Sequence, residues 1–174
     1  MEPIHTVRLK PGEQDRLLAG HPWIYRNEVD GWPPSVEPGD LVDVLDDRRR
    51  FLGRGYLNPR STIAIRLFGH DRLPIDQDFF TNRLRQAQAW REKMLGDLRT
   101  RPPQARQDAP LPGPAYRVVH GEADGLPGLI VDRYGDALAI QVLTAGMDRR
   151  RDLIVKALQE VLAPRTIVAR NDSP

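Results

Sequence analysis

The hydrophobic period of this chain changes once, near Asp78, and that change restricts its fold more than any other feature. Before it, apolar residues fall in short alternating stretches: IHTVRLK, LVDVLD, FLGRGYLN and STIAIRLF. Alternation at period two is the mark of half-buried strands, and turn residues recur between the stretches every 8–12 residues or so. PGEQDRLLAG reads as a short helix, with Pro11 in its first turn and Gly20 past its end. HPWIYRNEV returns to extended chain, because Pro22 biases His21 away from helix. Gly53 and Gly55 inside one strand predict a bulge or the close approach of another backbone. Together these signals predict a small β-barrel over residues 1–73.

After Asp78 the apolar residues recur every three or four positions. Phe80, Leu84, Ala87, Met94 and Leu98, with Trp90 beside them, predict an amphipathic helix to about Arg99, capped by Asp76 or Asp78. TRPPQARQDAPLPGPA then offers almost nothing to bury and reads as a loop. YRVVH, LIVDR and ALAIQVL read as strands, the last two joined by a tight turn at Gly135-Asp136. A helix from about Asp148 to Leu162 leads into the strand TIVAR, so that strand, helix and strand suggest a right-handed crossover. The expected class is therefore α+β: the barrel, then an α/β domain of strand-strand-helix-strand type over residues 74–174.

Several functions are excluded or disfavoured by composition. With no cysteine, the chain has no disulfide, no thiolate metal site and no cysteine nucleophile. No apolar run approaches the length of a bilayer and no leader is visible, so a cytoplasmic protein without membrane contact is expected. The net charge is only +2, yet among 26 basic residues only Lys10, Lys93 and Lys156 are lysine. Arginine's planar fork suits phosphates and base edges, although GC-rich coding would produce the same imbalance.

The stretch VVHGEADGLPGLIVDRYGD (118–136) concentrates His120, Glu122, Asp124, Asp132 and Asp136. Three readings compete: a structural turn, a grip on RNA or a neighbouring domain, and a metal-dependent hydrolase at His120, Glu122 and Asp124. Asp124 and Asp136 each adjoin a glycine, where aspartate bonds its own backbone and tolerates unusual dihedrals. No tight metal spacing is present. The acids read mostly as architecture.

GHPWIYRNEV (20–29), PGDLVDV (38–44), FLGRGYLNP (51–59), HGEADGLPGLIVDRYGD (120–136), LTAGMDRRRDLIVKAL (143–158) and the terminal RNDSP occur in an order that carries a resemblance. The chain resembles the N-terminal part of a class I S-adenosylmethionine-dependent rRNA methyltransferase family that makes 5-methylcytosine in large-subunit rRNA. Its proline-rich loop at 100–115 is longer than that family usually has. The resemblance implies a PUA domain, a central α/β domain and then a Rossmann-like catalytic domain. The last is absent here: no strand leads into a glycine-rich turn and helix. The family's chemistry uses a cysteine thiolate, which this chain lacks. No catalytic residue, cofactor or metal is therefore expected within this piece, and S-adenosylmethionine is implied only for the full-length protein.

The expected role is to recognise large-subunit rRNA and position it for the protein's own C-terminal catalytic domain. Arg26, Arg54, Arg60 and Arg66 are the candidates for phosphate, and His21, Trp23 and Tyr56 for stacking or 2′-hydroxyl contact. Each has a plainer alternative; Trp23, for one, suits a small core. Arg48, Arg49 and Arg50 read as a solvated turn offset by Asp46 and Asp47. Arg149, Arg150 and Arg151 fall in a helix's first turn, where the dipole disfavours cations, which suggests a partner there. The competing reading is a protein-interaction module that scaffolds the catalytic domain or forms a homodimer.

Overall fold

A computed structural model describes residues 3–99 and 115–170, so residues 100–114 of the proline-rich segment and the last four residues of the terminal RNDSP lie outside the described residues, as does the side chain of Leu98. The chain divides into two units: Met1–Pro74 with Thr144–Arg150, and Ile75–Leu143 with Arg151–Pro174.

In the first unit, β1 (Ile4–Arg8), β2 (Trp23–Tyr25), β3 (Leu41–Leu45), β4 (Phe51–Leu57) and β5 (Ile63–Gly69) fall within the stretches read as extended, and α1 (Asp15–Leu18) is a single turn that begins after Pro11 rather than around it. The five strands form one sheet in the order β1-β3-β4-β5-β2, with β1 parallel to β3 and the other pairs antiparallel. Its two edges meet where Leu9 bridges Val29, with Lys10 N–H donating to the Glu28 carbonyl and Asp30 N–H to that of Arg8. Inside lie Val7, Leu9, Leu17, Ile24, Val42, Val44, Leu57, Ile65 and Leu67. Each such fully buried aliphatic side chain contributes about 1.5–3 kcal/mol.

The register of β4 shifts against β5 between Arg54 and Gly55, and a side chain at Gly55 would run into the Arg66 carbonyl. That is the bulge and close approach that the two strand glycines predict.

One part of this unit comes from far along the chain. Thr144–Arg150, including the short α3 (Ala145–Asp148), belongs to it rather than to its sequence neighbours. A single helix from about Asp148 is therefore not what forms. The chain breaks at Arg149 and Arg150 before α4 (Arg151–Leu162) begins.

The second unit contains α2 (Gln77–Arg99), β6 (Ala115–His120), β7 (Leu129–Tyr134), β8 (Ala137–Val142), α4 and β9 (Thr166–Ala169). Its sheet runs β6-β7-β8-β9, antiparallel except for the parallel pair β8 and β9 that α4 connects. Tyr134 pairs with Ala137 across the expected two-residue turn. Asp76 caps α2, its carboxylate accepting the Phe79 N–H at 3.1 Å. Phe80, Leu84 and Ala87 of α2, and Ile154, Ala157, Leu158 and Leu162 of α4, are buried with Val119, Leu129, Val131 and Ile140 of the strands. Polar ties join the two helices: Gln77 donates to the Leu153 carbonyl, and Arg85 pairs with Glu160 at 2.7 Å. Among the described residues no helix is long and apolar enough to cross a membrane.

Candidate nucleic-acid interface

Outward-facing positions on the first unit's sheet are of two kinds, and the predicted contact residues divide between them. Arg54 lies directly across from Asp43 and is only 8% exposed. It donates to both Asp43 carboxylate oxygens, at 2.7 and 3.1 Å, and to the Leu73 carbonyl at 2.8 Å. Arg72 approaches the same carboxylate at 3.0 Å while its guanidinium covers the Phe51 ring. Tyr56 is 2% exposed, and its hydroxyl donates to Thr144 Oγ1 at 2.9 Å. Both side chains are committed to the interior of the unit, a setting that a stacking platform or a phosphate anchor does not share.

The other kind surrounds β2. Ile24 points into the core at 0% exposure, which turns Trp23 and Tyr25 the other way, both half-buried. His21 meets the Trp23 ring edge-on with centroids 5.4 Å apart, and its Nδ1 accepts the Trp23 N–H at 3.3 Å. The Arg16 guanidinium lies 4.8 Å from the centre of the Tyr25 ring and donates to the Trp23 carbonyl. The buried Glu28 carboxylate accepts the Tyr25 N–H at 2.7 Å and sits 3.3 Å from Arg16, which fixes the loop's course. Arg66 is the cross-strand partner of Trp23 and so shares its side of the sheet.

Arg26 and Arg60 extend this surface. Arg26 N–H donates to the Thr62 carbonyl, which brings it beside the turn that carries Arg60. That turn is set by Asn58, whose side chain accepts the Arg60 N–H at 3.1 Å. Both arginines are exposed, and among the described residues neither side chain has an acidic partner. The outcome is three aromatic rings, a paired guanidinium and several arginines around one strand. Arg16 and Tyr25 were invisible as contact candidates in the sequence; the contacts of the Arg16 side chain with β2 link them.

The second arginine cluster has partners within the chain. Arg149 pairs with Asp40, and Arg150, 2% exposed, donates to the Gly39 carbonyl at 2.9 Å and the Gly146 carbonyl at 2.7 Å. Burial pushes the Asp40 carboxyl's pKa up. The Glu37 N–H and the hydrogen bond and charge of Arg149, with His5 nearby, outweigh it and hold the carboxyl below its ordinary value. Gly39 has φ +98, and a side chain there would strike the Ala145 carbonyl and Arg149. The motifs PGD and AGMDRR are thus two halves of one packing arrangement. The Arg48–Arg50 turn is also organised internally. Burial opposes ionisation of Asp46, but the Arg50 N–H and guanidinium and the Arg48 N–H hold its carboxyl below the usual range.

The acidic stretch resolves into supports. Gly121–Asp124 form a 3-10 turn, and Asp124 accepts both Arg91 guanidinium nitrogens, at 2.5 and 2.6 Å, and the His120 N–H at 2.6 Å. Asp132 pairs with Arg117 across the strands. This hydrogen bond, opposed by burial but reinforced by the charge, raises the arginine's pKa further. Among the described residues no three acids or histidines converge as a metal site would require. The strand-to-helix passages also lack a glycine-rich turn: residues 70–76 read HDRLPID, and Leu143-Thr144 separate β8 from α3. These passages do not fit a nucleotide-type cofactor.

A family model described as a PUA-like domain matches residues 7–70. Similar curated proteins include Ribosomal RNA large subunit methyltransferase I of Salmonella arizonae, 36% identical over 165 residues, and that of Shewanella denitrificans, 37% identical over 170. The alignments cover 94% and 95% of this chain but 38% and 39% of the relatives, so the chain spans about two fifths of their length. Among solved structures, SMU.776, described as a methyltransferase and complexed with SAH, matches with a TM-score of 0.72 at 18% identity. That match covers 98% of this chain and 40% of the other and is a likeness of fold.

Proposed function

We propose that this chain is the RNA-recognition part of a S-adenosylmethionine-dependent large-subunit rRNA methyltransferase whose reaction is carried out elsewhere in a longer protein. The observation that carries this reading is the surface around β2, which lies within the segment matched as PUA-like. Rings of His21, Trp23 and Tyr25 offer π-faces and edges to unpaired bases, and Arg16 and Arg66 supply planar cations beside them. Arg26 and Arg60 take phosphates and set register. Arg54 and Tyr56 serve by holding the sheet on which this surface is built. The names of the relatives support rRNA as the substrate class and methyl transfer as the reaction of the whole protein.

The finer reading is methylation at cytosine C5. That chemistry needs a thiolate to add to the ring so that the neighbouring carbon becomes nucleophilic. This chain contains no cysteine, so the thiolate belongs to residues outside it.

Salt dependence tests the reading. Each phosphate neutralised on single-stranded RNA contributes a slope of about −0.7 in log affinity against log salt. Replacing Arg26 and Arg60 together by alanine should flatten the slope by about 1.4 if each holds one phosphate. A slope unchanged by the double substitution removes the β2 surface as the interface.

A further inference from the structure

The second unit carries a cleft of about 330 Å³ between α2 and the Gly121–Asp124 turn, lined on one side by Arg83, Ala87, Trp90 and Arg91 and on the other by Asp124 and Gly125. The α2 residues recur at helical spacing and form one stripe. Trp90 is the anomaly of that stripe. It is 56% exposed, although its neighbour on the same face, Ala87, is buried. Large aromatic rings ordinarily contribute to cores, and this indole instead lines the cleft with more than half of its surface open.

The polar side of the cleft is fixed in advance. Arg83 places its guanidinium 5.4 Å from the centre of the Phe79 ring and close to the Gly125 backbone. Gly125 has φ +66, and a Cβ there would come within 3.1 Å of the Arg83 Cζ, so glycine is needed both for the turn and for the approach of the cation. Asp124 at the floor is already neutralised by Arg91. The cleft therefore presents a planar cation whose position is set, a compensated acid and an open indole. That combination fits one ligand chemistry: an unpaired nucleotide, its base stacked on Trp90 and its phosphate beside Arg83.

We infer that this cleft is a second RNA contact, which binds a single unpaired nucleotide by stacking on Trp90. The inference rests on the RNA-recognition reading but assigns a site in a different unit from the β2 surface. It gives the DG turn of HGEADG a reason to be shaped as it is, beyond closing two strands.

The test uses the full 174-residue chain and a fluorescein-labelled decaadenylate, with binding followed by anisotropy. Trp90→Ala should weaken binding about tenfold, the size expected for one lost base stack, and Trp90→Phe should restore most of it. An abasic ribose-phosphate oligomer should bind the wild type and Trp90→Ala equally, because it has nothing to stack. Trp90 is at the surface, so the variant's thermal midpoint serves as a check that folding is intact. Equal decaadenylate binding by wild type and Trp90→Ala, with Arg26→Ala/Arg60→Ala still weakened, overturns the cleft and leaves the β2 reading standing. Loss at Trp90 with no loss at Arg26 and Arg60 supports the cleft and overturns the β2 surface. A chain that binds no RNA overturns both and assigns the open indole to a protein partner.

Discussion

Gly146 lies flat against the ring of Tyr56, so close that a Cβ on the glycine would overlap the ring carbons. The two residues are 90 positions apart in sequence, yet the Tyr56 hydroxyl also bonds Thr144, next to the glycine's own helix. This contact, together with the Arg149–Asp40 pair and the Arg150 bond to the Gly39 carbonyl, attaches Thr144–Arg150 to the rest of the first unit. Gly146→Ala should therefore destabilise the chain by about 1–3 kcal/mol, the usual range for overpacking a filled site. Urea unfolding would measure it. Tyr56→Phe, which removes the hydroxyl that bonds Thr144, should cost about 1 kcal/mol.

Arg54 and Arg26 are both arginines in strand-rich sequence, and they should behave oppositely. Removing Arg54 leaves Asp43 buried with the more exposed Arg72 beside it. Arg54→Ala should lower unfolding free energy by about 3 kcal/mol, because a buried carboxylate loses its principal counterion. Arg26→Ala, at an exposed position, should leave the unfolding midpoint where it is and weaken RNA binding. Parallel denaturation and binding curves would separate the two effects; a matching stability loss for both would contradict the assignment.

The Asp40–Arg149 pair makes a pH-dependent link. The folded-state pKa of Asp40 lies below the ordinary value of an aspartate carboxyl. A depressed carboxyl pKa means that its contribution is fully present above the unfolded-state value and is lost as pH falls through the folded-state value. Asp40→Asn should be less stable than wild type by about 1.5 kcal/mol near neutrality. The gap should close in acid below the folded-state value. Arg149, His5 and the Glu37 N–H are the groups facing this carboxylate. Urea midpoints for both proteins at several pH values would show the convergence; a gap constant down to strong acid would contradict it.

Much of the fold was legible because period is a local property. A run such as LVDVLD can bury alternate residues only as a strand, and Phe80, Leu84 and Ala87 share a face only as a helix. Turn residues likewise act within a few positions, which is why Gly135-Asp136 could be read directly and the cap of α2 narrowed to Asp76 or Asp78. The candidate site was less legible. Trp23, Arg26, Arg60 and Arg66 do gather around β2 or its neighbouring turn, but Arg16 joins them from a short helix with no pattern of its own.

Sequence alone determined the kind and order of the elements and the absence of a cysteine nucleophile, because each depends only on residue identity and short-range spacing. Arg54 and Tyr56 stand two apart on β4, opposite Asp43 and Leu41, and so share one side of it. Whether that side faces water was decided by tertiary structure. Arg54 is closed over by the Leu73 region, and Tyr56 is covered by a segment arriving from residues 144–150. Exposure is set by whatever the rest of the chain lays on a face, and no local pattern carries that information.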